Sequence, residues 1–291
     1  MAQTQAKILV PIGFSQQSLL ALDEAIIFAK QMNASITLLT VFGDGSLAKA
    51  LGTDARGKAL QEIAEQRLSE VAKEYTDKTG LSYDTKVAEG TVYEQIARIV
   101  EEIDADLVVM GTNGKPQNLR KRFIGSNAYR TVSLVKPPVI TIKGMRKIEK
   151  IKTIIFPLVL DRRSKEKTGH ALTYARMFGA KIKVVSVLKE KSEKKSLLAN
   201  LKQVEKFIND AGVECSSELL SPTEKGIVRN TLNYAYDNGG DLIIITEDNH
   251  DRDVTDYFLG NDVQAMVYHS EIPVMCITPS EVRYEAMWES F

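Results

Sequence analysis

Cysteine is nearly absent: Cys215 and Cys276 are the two in 291 residues, and no CxxC spacing joins them. That excludes a disulfide framework and a thiolate metal cage, and it points to a reducing compartment. Histidine is scarce as well; His170, His250 and His269 stand at no metal-ligand spacing. Charge of one sign is missing, with 38 Lys and Arg against 38 Asp and Glu, so no global field favours nucleic acid or an anionic membrane. No apolar run approaches the roughly 18 residues that cross a bilayer. The segment Met1–Lys7 lacks the charged start, apolar middle and small-residue cleavage site of a signal peptide. There is no nucleophile elbow, P-loop lysine motif or GxGxxG, and no placed base or metal cluster to drive strong catalysis. Together these absences predict a cytoplasmic protein that is not an enzyme and has neither nucleic acid nor membrane as a partner.

What the chain does contain, it contains twice. Ile8–Pro11 matches Ile154–Pro157 at an offset of 146, and Ala25, Ala29, Ala34, Ile36 and Val41 then meet Ala171, Ala175, Ala180, Ile182 and Val187. A second gapless block follows at an offset of 135: Asp106, Phe123, Gly125, Val132 and Pro138 meet Asp241, Phe258, Gly260, Val267 and Pro273. The first half therefore carries 11 more residues, which the glycines Gly43, Gly45, Gly52 and Gly57 place in a loop. The halves meet near Lys143–Lys150, a charged stretch suited to a linker. The expected division is 1–144, 151–280 and a tail of 281–291.

Each half alternates strands and helices. Lys7–Val10, Ser35–Val41, Ser82–Val87, Leu107–Met110 and Val139–Ile142 read as strands rich in Ile, Leu and Val. Ser15 is a good N-cap for a helix carrying Leu19, Leu22, Ile26 and Ala29 at helical spacing. Leu60, Ala64, Leu68, Val71 and Tyr75 mark a second helix, Ile96, Ile99, Val100 and Ile103 a third, and Asn127–Leu134 a fourth. The second half repeats the order, with strands at Thr153–Phe156, Lys181–Val187, Leu242–Ile245 and Val274–Ile277. Apolar strands joined by helices predict an α/β fold of two tandem doubly wound domains, each a five-stranded parallel sheet. Ligands of such sheets bind at the carboxyl ends of the strands, where the strand order reverses.

At that place in the first half the sequence reads Gly111-Thr112-Asn113-Gly114, ten residues, then Gly125-Ser126-Asn127. Glycines let a phosphate approach the backbone, and a helix start offers it unpaired N–H groups. The spacer holds Lys115, Arg120, Lys121 and Arg122 and no acid. In the second half Thr246, Glu247, Asp248 and Asn249 replace the front of the loop, and the spacer carries Asp251, Asp253 and Asp256. A triphosphate is repelled there.

With its opening strand Ile8–Pro11, its closing Pro138-Val139 and this glycine pattern, the chain resembles the universal stress protein family over nearly all of both halves. The resemblance implies the adenine nucleotide alpha hydrolase-like fold. It also implies a stress-response protein that binds ATP, with Mg²⁺ accompanying it, in the first half alone. The residues it implicates are Pro11, Ile12, Gly13, Val41, Met110, Gly111, Gly114, Gly125, Ser126 and Asn127, with Ile12 and Val41 near the base. Two departures stand against it. The spacer is ten residues rather than the family's nine, and Gly13 occupies the position of an aspartate in ATP-binding members. The competing classes are an interaction protein without a ligand, and a slow nucleotide-hydrolysing enzyme. The partners expected are an adenine nucleotide, an unidentified protein, and either a second copy or the chain's own other half as a pseudo-dimer.

Other features read as structure. His170 falls on a helix, His250 in a solvated acidic loop, Cys276 in a buried strand, and Cys215 opens or precedes a strand. Leu188–Lys195 is a charged loop entering a helix. Tyr284, Met287, Trp288 and Phe291 make an amphipathic turn for intramolecular packing or a dimer contact.

Overall fold

In a computed structural model, which describes residues 5–43, 46–112, 127–144, 148–158, 164–188, 191–223, 226–246 and 260–277, the expected alternation runs from Lys7 to Ile277. The first half comprises β1 (Lys7–Pro11), α1 (Gln16–Met32), β2 (Ser35–Phe42), α2 (Ser46–Ala50), α3 (Gly57–Thr79), β3 (Tyr83–Glu89), α4 (Val92–Ile103), β4 (Leu107–Gly111), α5 (Asn127–Leu134) and β5 (Val139–Ile142). The second comprises β6 (Thr153–Pro157), α6 (Ser164–Phe178), β7 (Lys181–Val187), α7 (Lys194–Asp210), β8 (Cys215–Leu220), α8 (Gly226–Asp237), β9 (Leu242–Thr246), α9 (Gly260–His269) and β10 (Val274–Ile277).

One expectation needs correction. The glycine-rich segment after β2 is not all loop, because Leu47 is 3% exposed and packs with Phe42, Leu60 and Ala64, folding α2 back onto the sheet. Part of the surplus lies in α3, which has 23 residues against 17 in α7. The C-terminal tail and the acidic loop after β9 lie outside the described residues.

Local chemistry fixes the elements. Ser15 caps α1 by accepting the Ser18 N–H at 3.2 Å, and Asn33 ends it in the left-handed region. The face Ala21, Leu22, Ala25, Phe28 and Ala29 is buried, and its small residues let α1 lie close to the strands. Most strands are buried on both faces, as a parallel sheet between two helical layers requires.

The strands form a single sheet in the order β3-β2-β1-β4-β5-β10-β9-β6-β7-β8. Each half contributes the doubly wound order 3-2-1-4-5, and all pairings are parallel except β5 with β10. There Ile140 faces Met275, with Val139 opposite Cys276 and Thr141 opposite Val274. Both apolar layers continue across this seam. One is built from α1, α3, α6 and α7 with their strand faces, the other from α4, α5, α8 and α9. Across the first, the Phe28 and Phe178 rings meet edge to face at 5.5 Å.

The described residues of the charged stretch after β5 are tied to both halves. Lys143 caps the Tyr268 carbonyl and lies over that ring, Ile148 and Ile151 are buried, and the buried Glu24 carboxylate accepts the Ile148 N–H at 3.0 Å. Glu24→Ala strands that amide and should destabilise the protein by about 1.5–3 kcal/mol, whereas Glu24→Gln, which keeps an acceptor, should cost less. Urea unfolding of the two variants checks this; equal midpoints would show that the bond contributes nothing.

Candidate functional site

α1 leaves β1 onto one face of the sheet and α5 follows β4 on the other, so the ends of β1 and β4 flank the point of order reversal, where sheets of this kind place a ligand crevice. Pro11 ends β1, Ile12 is buried just beyond it, and Gly13 follows. Met110 and Gly111 end β4, and Thr112 is buried, its N–H donated to the Ile142 carbonyl at 2.8 Å. Asn127 is the exposed first residue of α5. Gly114, Gly125 and Ser126 lie outside the described residues, as does the basic spacer between them.

The backbone of β2 determines what the crevice offers a ligand. Along a strand, successive residues turn their N–H and C=O to opposite neighbours. The Leu39 carbonyl faces β1 and accepts the Ile12 N–H at 2.7 Å, while the Phe42 carbonyl faces β3 and accepts from Gly90 at 2.8 Å. Val41 therefore turns its donor and acceptor toward β1, beyond the point where that strand has ended. No hydrogen bond from the described residues past β1 takes them. Ile12 is more committed: its N–H is used, and its carbonyl already accepts the Thr40 hydroxyl at 3.0 Å. Of the two residues expected near a base, Val41 presents a donor–acceptor pair that no described residue takes, and Ile12 at most one lone pair.

Gly13 has open space around it. A Cβ built there meets nothing within 4 Å, and its φ lies outside the left-handed region. The next residue is strained: Phe14 has φ of 54°, which for a bulky non-glycine residue costs about 1–3 kcal/mol. Its ring packs against both the main core and the small cluster under α2. A cleft of about 800 Å³ opens beside that cluster, at the ends of β2 and β3, with Phe42, Leu60, Lys49, Arg56, Asp54 and Glu89 among its walls.

Gly111 answers first to packing. A methyl at this position would lie 2.6 Å from the Gln17 carbonyl carbon, because the first turn of α1 rests against the end of β4. Thr246 in the second half has a side chain that such an approach does not admit. The contrast between the halves at this glycine thus has a steric cause, independent of any ligand. The charge contrast does extend into described residues. The first turn of α5 has no acid, whereas that of α9 carries Asp262, whose carboxyl is held above its usual range by burial.

Several residues here escaped sequence reasoning. Thr40 left one trace, since Ser186 keeps a hydroxyl at the matching position, also buried. Phe14 left none, because positive φ at phenylalanine has no signature in composition. Arg130 and Tyr93, joined at 2.9 Å, could have been noticed because Ala265 and Val228 stand at the matching places. The residues set aside stay aside. Burial and the Glu205 carboxylate push the Cys215 thiol up to about 12, and burial pushes His170 down to about 4. Among the described residues no group of three or more His, Cys, Asp or Glu is arranged to hold a metal ion. No helix of these residues is long and apolar enough to cross a membrane.

A doubly wound, largely parallel sheet covered by helices on both faces defines an α/β protein. Comparison with known proteins narrows the class. The model of the universal stress protein family matches residues 6–143. A universal stress protein of Methanocaldococcus jannaschii is 31% identical over 147 residues, which span 48% of this chain and 84% of that protein. A second from the same archaeon is 25% identical over 160 residues, 49% of this chain and 98% of that one. The fold as a whole is that of a universal stress protein from Archaeoglobus fulgidus, with a TM-score of 0.74 at 19% identity, covering 94% of this chain and 97% of that chain. The chain belongs to the universal stress protein family.

Proposed function

We propose that this protein is a cytoplasmic stress-response protein whose first half, residues 1–144, is a domain that binds ATP with Mg²⁺. Residues 151–280 form a second domain of the same fold that binds no nucleotide. The observation that supports the reading is the N–H and C=O of Val41, which point past the end of β1 and which no described residue takes. A purine edge, with its donor and acceptor side by side, suits that pair, and Gly114, Gly125 and Ser126 follow in sequence as partners for phosphate. The backbone arrangement alone does not separate the halves, since Leu158 N–H bonds to the Val185 carbonyl just as Ile12 does to Leu39. Charge separates them: the second loop carries acids where the first carries bases.

In this reading the protein acts by binding rather than by catalysis. Nucleotide at the end of β4 biases how the surfaces near α5 and α2 present themselves to a protein partner. A second reading, an interaction protein with no ligand, is favoured by Gly13 and by the packing role of Gly111.

Calorimetric titration of Mg-ATP into the intact protein separates the two. We expect one site of micromolar affinity per chain, with the heat abolished by Gly114→Asp, which sets a carboxylate among the phosphates. Absence of heat at high protein concentration would leave the ligand-free reading standing. Steady phosphate release lost in the same variant would instead make the protein an enzyme.

A further inference from the structure

Arg130 is the fourth residue of α5, in a first turn that has no acid. A cation there opposes the helix dipole, which is positive at that end. Helical side chains lean toward the N-terminus, and the guanidinium of Arg130 is fixed on Tyr93. Nη1 donates to the phenol oxygen at 2.9 Å, and the guanidinium carbon lies 4.8 Å from the ring centroid. Tyr93 is the second residue of α4, so the charge sits beside the first turns of two helices. Both turns lie at the carboxyl end of the sheet, where Gly111 closes β4.

This cation is half-buried and, among the described residues, has no carboxylate partner. Glu94, the acid of the α4 first turn, is exposed and forms no ion pair with it. A guanidinium held between two positive helix ends, on a phenol rather than a carboxylate, is electrostatically incomplete. An anion at the start of α5 completes it, by a charge-assisted bond of the kind guanidinium makes with phosphate. The second half has none of the parts: Ala265 and Val228 stand at the matching places, and Asp262 adds a negative charge to the turn.

We propose that Arg130, positioned by Tyr93, is a specificity-determining residue that binds the outer phosphates of the nucleotide, so that a triphosphate is held in preference to a monophosphate. The inference rests on the nucleotide reading given above and assigns that site a residue outside its glycine loop. The simpler role, a clip between α4 and α5, would stabilise the fold without discriminating among ligands.

The test is calorimetric titration of the intact protein with ATP, AMP and inorganic tripolyphosphate, each with Mg²⁺. The variants are Arg130→Gln, Tyr93→Phe and Tyr93→Leu, with melting temperature recorded for each. Arg130→Gln should weaken ATP by about tenfold or more while leaving AMP within about twofold. Tyr93→Leu, which removes the support, should reproduce much of this loss, and Tyr93→Phe, which keeps the ring face, should fall between. ATP affinity unchanged in Arg130→Gln, or ATP and AMP weakened equally, overturns the inference and leaves nucleotide binding intact. Arg130-dependent binding of tripolyphosphate without either nucleotide keeps the anion contact and removes the nucleotide reading. Wild-type protein that binds none of the three removes both. Should Arg130→Gln fail to fold, the ATP-to-AMP affinity ratio of Tyr93→Phe decides: an unchanged ratio overturns the proposal.

Discussion

A chain ending at Gly144 should pair with itself. Within the whole protein β5 finds its outer partner in β10, and α1 packs on α6 through Phe28 and Phe178. Truncation uncovers the β5 edge, whose unpaired backbone groups are a template for another strand. It also uncovers the apolar face around Phe28, which is 1% exposed in the intact chain. The seam is locally self-complementary. Ile140 and Met275 are equivalent under the 135-residue offset, and they face each other directly in the β5–β10 register. A second copy of the first half can therefore set its own Ile140 against Ile140, with Val139 and Thr141 crossing as Cys276 and Val274 do now. That is the isologous arrangement of a twofold dimer. Sedimentation equilibrium of residues 1–144 should give twice the fragment mass at micromolar concentration. A folded monomer would mean that the seam does not satisfy itself, and that the half is stable with an open edge.

The same offsets show why so much of the fold was legible. Duplication supplies an internal check that a single half lacks: Ile8–Pro11 and Ile154–Pro157 each read ambiguously, but together they fix the opening strand of both halves. The buried parallel strands are continuous apolar runs bounded by polar turns, so β4, β5, β9 and β10 were found within a residue. The edge strand β8 was legible only at its start, since Ser216, Ser217 and Glu218 carry no apolar run. α2 was missed because it has five residues and four glycines around it, and only the burial of Leu47 makes it a helix. Pairing of β5 with β10 could not be read at all, because a strand of four apolar residues does not state which edge it borders.

The site was legible in its residues more than in its reasons. The sequence reads Gly111 as a phosphate contact, and the structure gives it a different necessity, the approach of Gln17. The sequence points to Val41 by its place, and its value lies in an alternation of backbone direction that side-chain identity does not encode. Gly13 is the reverse case, a residue whose identity stands out while the surrounding structure gives it no reason.

Gly13→Asp should tighten ATP binding by ~5 to 150-fold, the equivalent of one polar contact worth about 1–3 kcal/mol. A Cβ at this position meets no atom within 4 Å, and the backbone there is not in the left-handed region that would demand glycine. The fold therefore does not require Gly13, and the aspartate that the family resemblance implies after the first strand has room to enter. An acid two residues before the Ser15 cap also lies on the favourable side of the α1 dipole, so the melting temperature should hold steady. If the natural chain binds ATP weakly and the variant strongly, the crevice is a working site tuned down by one missing carboxylate. If the natural chain gives no heat and the variant does, the site is intact and dormant. Failure of both, with the variant folded, would place the obstacle in the ten-residue spacer. The open space beside Gly13 would then be a remnant of a site the protein no longer uses.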